Sequence, residues 1–292
     1  MAIIPASFLN AVVALGVVRA DGSKFWIGTG FIVGRKERSN PDLSTFYLIT
    51  NKHVVKGQRQ IIVRFNSLGG ELVKDYPIGL LDASDNKLYS SHPNDNSDVI
   101  AIQILPQKLI DDKSIWGAFD LDDHALTLDQ MQGTGVEEGS LVYALGFPMN
   151  LVDPIKIPIC RLGCISRVTD AFLLKNGNPI FLVDAQTFPG NSGGPIISRP
   201  EHVSIAGTPT NTKANLIGIL SAYLPYKDTL ISQQTGEPRM IQTENSGLTI
   251  VHPVDRIKEV VELEWTRIEM RKVVSEPRRF PALQEEKEGS AV

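Results

Sequence analysis

Phe188-Pro189-Gly190-Asn191-Ser192-Gly193-Gly194-Pro195 is the most informative stretch of this 292-residue chain. Its glycines permit a tight loop through backbone conformations closed to other residues. Such a loop can aim its own N–H groups at one point and hold a serine hydroxyl beside them. An oxyanion hole needs that combination, with donors fixed where negative charge develops on a tetrahedral intermediate. Ser192 is therefore the expected nucleophile, and the N–H groups of Gly190 and Ser192 are the expected oxyanion donors. A Gly-rich turn carrying an incidental serine is the plainer alternative, and it explains the six residues from Gly190 to Pro195 poorly.

Two earlier segments supply what a serine nucleophile lacks. Leu48-Ile49-Thr50-Asn51-Lys52-His53-Val54-Val55 delivers a histidine at the end of a β-rich run, where its ring can project into a cleft. Asn96-Ser97-Asp98-Val99-Ile100-Ala101-Ile102 sets an acid immediately before an apolar strand, at the strand's buried entrance. Each is weak alone, since a single histidine is more often structural and a strand-edge aspartate is commonly a turn residue. Asp95 competes with Asp98, but only Asp98 abuts the strand.

Short β-rich runs recur at 12–18, 25–33, 46–50, 60–65, 99–104, 141–145, 155–168, 181–186, 195–197, 216–222 and 248–251. Turn-prone clusters such as Asp21-Gly22-Ser23 and Leu68-Gly69-Gly70 separate them, a pattern that predicts an all-β barrel or sandwich. Between 106 and 139 the strand signal fades, and residues 120–138 are acidic with no Lys or Arg, which reads as a solvated connection between two β-rich groups. Ile257, Val260, Val261, Trp265 and Ile268 then follow helical spacing, predicting an amphipathic helix packed on the second group. The expected organisation is a first barrel at 1–115 with His53 and Asp98, a linker at 116–139, a second barrel at 140–252 with Ser192, a helix at 253–275 and a disordered tail at 276–292.

With 42% hydrophobic residues and a net charge of −4, the chain can bury a core and has no global field favouring nucleic acid or an anionic membrane. No segment approaches the ~20 apolar residues of a membrane helix. Cys160 and Cys164 are the only cysteines, and four residues of strand hold them roughly 13 Å apart. A disulfide needs less than about 7 Å, so both are expected reduced, which favours a reducing, cytoplasmic compartment. Met1 to Leu15 carry no Lys or Arg, so residues 11–19 read as a first strand behind a short lead rather than as part of a signal peptide. His92, His124, His202 and His252 lack metal-ligand spacing, and there is no phosphate-binding loop; no metal or cofactor is expected.

The nucleophile loop resembles that of trypsin-like serine peptidases. Thr50-Asn51-Lys52-His53-Val54-Val55 is similar to their histidine motif and Ser97-Asp98-Val99-Ile100-Ala101-Ile102 to their aspartate motif, in the same order, His, Asp, Ser. Ile27-Gly28-Thr29-Gly30-Phe31-Ile32-Val33, Tyr143-Ala144-Leu145-Gly146-Phe147-Pro148, Leu216-Ile217-Gly218-Ile219-Leu220-Ser221 and Gly247-Leu248-Thr249-Ile250-Val251-His252-Pro253 resemble strands of the HtrA-like branch. The resemblance implies two six-stranded antiparallel β-barrels of the chymotrypsin type, followed here by a C-terminal helix. It implies a serine endopeptidase acting on a protein or peptide substrate through an acyl-enzyme on Ser192. His53 is then the general base, Asp98 its orienting carboxylate and Ser221 a support for that carboxylate. Ser221, Ala222 and Tyr223 would pair with extended substrate backbone. Gln186, six residues before the nucleophile, would lie at the base of the primary specificity pocket with Leu248 and Ile250 nearby, favouring an uncharged residue before the cut.

Departures from the family's pattern matter. Asn191 stands where digestive trypsins carry an acid that pairs with an N-terminus freed by cleavage, and Met1-Ala2-Ile3-Ile4 offers no such end. HtrA-like enzymes usually continue into a PDZ domain, and none is expected within these 292 residues. Control by a regulatory partner, oligomer or effector is therefore expected in place of zymogen cleavage. The alternative is a catalytically silent binding or scaffold module that docks through the acidic segment and the C-terminal helix; ester hydrolysis is a weaker third.

Overall fold

The computed structural model describes residues 4–37, 40–152, 154–174, 177–201 and 209–275, with backbone alone for 272–275. The expected tail at 276–292 and His202 lie outside the described residues. Helix α1 (Ala6–Ala11) opens the chain and runs directly into β1 (Val12–Val18). The lead is helical because Phe8 packs on Phe119, with ring centroids 4.6 Å apart, and Ala11 is fully buried.

The first sheet gathers β1, β2 (Lys24–Lys36), β3 (Ser44–Thr50), β4 (Gln60–Ser67), β5 (Val73–Gly79), β6 (Ser90–Ser91) and β7 (Ile100–Ile104), in the order β5-β4-β1-β2-β3-β7-β6. The short helix α2 (Lys52–Val55) follows β3, and α3 (Gln107–Asp111) follows β7. Short strands β8 (Ser114–Ile115) and β9 (Phe119–Asp120) add to β4 and β2, making nine strands. Of the expected first six-stranded barrel the described residues show the sheet, with no ladder that joins β5 to β6. The strand β6 has only two residues, so the seam is held instead by the Leu81–Lys87 bridge and by Leu88 N–H donating to Leu80 O at 2.9 Å. Leu15, Ile32, Leu48, Ile61, Val63, Ile100 and their neighbours fill the interior.

The acidic stretch forms α4 (Leu128–Thr134), started by a reciprocal Thr127–Gln130 capping box. Leu121, Ala125, Leu128, Met131 and Val136 are buried along it, so its apolar residues pack while Asp122 and Asp123 face outward. The second sheet is the expected closed six-stranded barrel. Its strands are β10 (Leu141–Gly146), β11 (Ile159–Arg167), β12 (Phe181–Asp184), β13 (Pro195–Ser198), β14 (Asn215–Ile231) and β15 (Pro238–Pro253), closing as β10-β11-β12-β15-β14-β13. The short helix α5 (Thr169–Leu173) lies between β11 and β12. Cys160 and Cys164 are both free on β11.

Helix α6 (Val254–Ser275) buries Ile257, Val260 and Val261 as its spacing predicts. It does not rest on the second barrel alone. It also lies across β6 and β7 of the first sheet, where Gln103 N–H donates to the fully buried Glu264 and Arg267 reaches Leu88 O. A stripe of apolar residues says that a face is covered, not what covers it.

Lys156, in the loop before β11, is buried and donates from Nζ to Asn10 O at 3.2 Å and Val12 O at 2.8 Å. Burial pushes its pKa down to about 8. Asn66 fixes its backbone on both sides, at 2.7 and 2.9 Å. This lysine ties the second barrel's loop to the start of β1. Lys156→Met retains the volume but leaves two buried carbonyls unpaired, so urea unfolding at pH 7 is expected to show a loss of about 2 kcal/mol.

Candidate active site

Strand β3 ends at Thr50, and the turn into α2 brings His53 out where the two sheets meet. Asp98 precedes β7, the neighbour of β3, so strand pairing alone sets the acid beside the imidazole. Nδ1 of His53 lies 2.5 Å from Asp98 Oδ2, and the His53 N–H donates to Asp98 Oδ1 at 3.1 Å. Ser221 Oγ donates to the same Oδ2 at 2.9 Å. Partial burial pushes the Asp98 carboxyl up, but the hydrogen bond and charge of His53 and the Ser221 hydroxyl outweigh it and hold the group below its ordinary range.

The aspartate is fixed through its backbone as well. Asn51 Nδ2 donates to Asp98 O at 2.7 Å, and the Asp98 N–H donates to His252 Nε2 at 3.2 Å. His252 is buried, and burial first among its causes lowers its pKa to about 4, so it is a neutral acceptor. The sequence reading sets His252 aside as a dispersed histidine; the structure puts it behind Asp98, at the junction of β15 and α6.

Ser192 sits on the loop ahead of β13, in a pocket of about 340 Å³ lined by His53, Thr187, Phe188, Pro189, Leu220, Ser221, Ala222 and Tyr223. Its hydroxyl donates to Ser221 O at 3.0 Å rather than to the His53 ring. Pro189 O accepts from Met149 N–H at 2.8 Å, which turns that carbonyl outward and the trans-related Gly190 N–H the opposite way. Among the described residues nothing accepts from the N–H of Gly190 or of Ser192. Gly190 has φ 101°, and a Cβ there would stand 2.3 Å from Phe147 O; at Gly193, φ is 87° and a Cβ would stand 2.1 Å from Thr29 O. No side chain fits either position, which is why the loop demands glycine.

Thr29, on β2, locks this loop. Its N–H donates to Ser192 O at 2.9 Å, its Oγ1 donates to Gly190 O at 2.6 Å, and Oγ1 accepts from Phe147 N–H at 3.0 Å. The residue is fully buried. Sequence reading quotes Thr29 only within a Gly-x-Gly strand; a polar residue in the middle of an apolar strand is the one signal that marks it. Asn191 is buried too, with its Nδ2 lacking an acceptor.

A profile of the trypsin-like peptidase domain matches residues 28–204, more than half of the chain. The chain belongs to this family. No curated protein matches the trypsin-like chain. Solved structures that match include the Rv3671c protease in an inactive form, 14% identical over 88% of this chain and 90% of that one, with a TM-score of 0.41. A serine-to-alanine mutant of Rv3671c from Mycobacterium tuberculosis, also in an inactive form, is 15% identical over 89% of each chain, with a TM-score of 0.42.

Of the residues expected at a trypsin-like site, the structure brings His53, Asp98, Ser192, Ser221, Ala222 and Tyr223 to one cleft. Gln186 is exposed, and neither it nor Leu248 and Ile250 lines the pocket beside Ser192. Thr187, Phe188 and Pro189 do, backed by the buried Thr187–Thr249 hydroxyl pair at 2.8 Å. Among the described residues no group of three His, Cys, Asp or Glu side chains is arranged for a metal ion, and no helix is long and apolar enough to cross a membrane.

Thr29→Val keeps the shape and removes the Oγ1 hydrogen bonds to Gly190 O of the loop and from Phe147 N–H; reaction of Ser192 with a serine-directed fluorophosphonate is expected to slow by about tenfold, with unchanged far-UV circular dichroism. His252 has a folded pKa of about 4 against an ordinary 6.5, so the unfolded chain binds more protons between those values. Its contribution is fully favourable above pH 6.5 and is lost as pH falls towards 4. Urea titrations are expected to show wild type losing up to about 3 kcal/mol more than His252→Gln across that window.

Proposed function

We propose that the chain is a serine endopeptidase cutting peptide bonds in a protein substrate through an acyl-enzyme on Ser192. The observation that carries this reading is the single cleft holding an Asp98–His53 pair, the Ser192 hydroxyl and two unengaged N–H donors. In this reading His53 accepts the Ser192 proton as the oxygen attacks the scissile carbonyl. The proton then passes to the leaving amine, and a water repeats the sequence to release the acid. Asp98 fixes the imidazole tautomer and stabilises the imidazolium, with Ser221 Oγ holding its carboxylate and His252 Nε2 its backbone N–H. The N–H groups of Gly190 and Ser192 receive the oxyanion, each worth roughly 3–4 kcal/mol by analogy with donor removal in proteases. The pocket walls, Thr187, Phe188 and Pro189 with Ala222 and Tyr223, favour a small or apolar residue before the cut, not Lys or Arg.

Activation need not involve cleavage of the chain. Ser192 Oγ donates to Ser221 O, an oxygen on the strand that would pair with substrate backbone. A substrate N–H competing for that carbonyl frees the hydroxyl to turn to His53. Binding of substrate, or of a regulatory partner that presses a strand into the cleft, thus supplies the switch. The same Ser192–Ser221 bond is what favours the second reading, a silent binding module in which the hydroxyl never turns.

Intact mass after fluorophosphonate treatment separates the two. One adduct is expected on wild type and none on Ser192→Ala. His53→Ala is expected to react 10²–10⁴-fold more slowly, on the order of the loss of a general base. Absence of an adduct on wild type, with and without unfolded protein added, selects the silent module.

A further inference from the structure

Strands β14 and β15 do not stop at the barrel. Beyond Tyr223 and Thr249 they continue as a two-stranded ribbon, pairing Pro225 with Asn245 and so on outward to Ile231 with Pro238. The ribbon bends where Ser246 and Gly247 bulge out of β15 and Ser246 Oγ donates to Leu224 O. One edge of β14 is taken by β13 only as far as Ile219, and by Gly193 and Gly194 at Leu220. From Ser221 onward no described backbone group pairs with that edge, and Ser221 O accepts the Ser192 hydroxyl. The open edge therefore starts at the pocket beside Ser192 and runs on through residues 221–231, about 33 Å of strand.

The ribbon also carries apolar side chains that the fold does not cover. Tyr226 and Leu230 share one face of β14, and Met240 lies directly opposite Leu230 on the same face. All three are more than half exposed, as are Ile231 and Ile241 towards the tip. An open edge offers main-chain hydrogen bonds with little regard to sequence, and Tyr226 and Leu230, with Asp228 between them on the same face, favour apolar residues at the two positions of an added strand that flank them.

We infer that the free edge of β14 at 224–231 is an extended binding site for the part of the substrate chain that precedes the scissile bond. Its ligand is an unfolded or extended polypeptide segment of about eight to ten residues, with apolar residues where it lies beside Tyr226 and Leu230. The inference rests on the reading of Ser192 as nucleophile only for its direction: a strand antiparallel to β14 and cut beside Ser221 runs its N-terminal side outward along the ribbon. Continuity with the cleft makes the substrate, rather than a second copy, the occupant. Pro225, Lys227 and Asp228 on the same strand are residues that disfavour indiscriminate edge-to-edge pairing between like chains.

The test uses Ser192→Ala protein, so that nothing is cut, and two fluorescein-labelled synthetic peptides read by anisotropy. Both end in the same alanine-rich segment of about four residues; the longer adds about eight residues alternating Leu and Thr on its N-terminal side. The longer peptide is expected to bind at least tenfold more tightly, about 1.4 kcal/mol. Replacing residues 228–242 by Asn-Gly, which joins the paired Lys227 and Thr243 through a two-residue turn, is expected to make the two peptides bind alike. Tyr226→Lys with Leu230→Lys, in the intact ribbon, is expected to remove most of the difference and guards against misfolding of the shortened chain. Equal binding of both peptides to the intact ribbon, or a length effect that survives both changes, overturns the inference. A dimer by light scattering that the ribbon deletion converts to monomer, with no effect of peptide length, identifies a second copy as occupant and also overturns it. Fluorophosphonate labelling of wild type is scored separately. Labelling without a length effect leaves the nucleophile standing and removes the ribbon site; a length effect without labelling does the reverse.

Discussion

The hydrogen bonds of Thr29 hold the two halves of the molecule in the one register that makes a site. Through its N–H and Oγ1 a residue of the first sheet grips Ser192 O and Gly190 O of the second barrel, while Thr50 Oγ1 donates to Thr29 O at 2.7 Å. Thr29 and Thr50 are fully buried, so a missing partner for either would leave a buried polar group at a cost of about 1–3 kcal/mol. The loop's conformation is thus set by the opposite sheet rather than by its own sequence alone. A displacement of the sheets by one ångström would spoil the loop and the Asp98–His53–Ser192 arrangement together.

Asp98 obeys the same logic from the other side. It belongs to the first sheet, but Ser221 and His252, both from the second barrel, hold its carboxylate and its backbone N–H. Helix α6 leaves His252 after a single proline and crosses onto β6 and β7, so the element that follows the barrel braces the strand that carries the acid. Near it His92 Nε2 lies 2.6 Å from Glu259, which Arg256 also reaches. The cleft is a seam sewn from both edges, and Lys156 closes it at a distance by tying the barrel's loop to the start of β1.

Sequence reading finds Ser192, His53 and Asp98 because each lies in a short stretch whose residue types answer to local demands: glycines where no Cβ fits, an acid and a histidine at strand ends. It finds the two β-rich groups and the buried stripe of α6 for a similar reason, since periodicity is local, while the six-stranded closure of the second group comes from the family resemblance. Thr29 and His252 escape it, because what gives them meaning is a partner 161 and 154 residues away. The open seam of the first sheet escapes as well, resting on a strand of two residues that leaves no pattern. The outer ribbon buries neither face, so it has no in–out contrast to read, and the strands appear to stop at 222 and to start at 248. Gln186 is assigned by counting back from Ser192, but where that residue faces depends on the Thr187–Thr249 contact, which counting does not see.

The long separations across the site also bear on how the protein comes into being. Ser221 and His252 lie 123 and 154 residues after the aspartate they hold. A ribosome making this chain releases His53 and Asp98 long before their supports exist, and the first sheet can form around an aspartate whose carboxylate has no second-barrel partner. Only when β15 emerges and α6 begins does every anchor of the aspartate become available. The setting of Asp98 seen in the finished fold is therefore a property of the whole chain and of none of its N-terminal fragments.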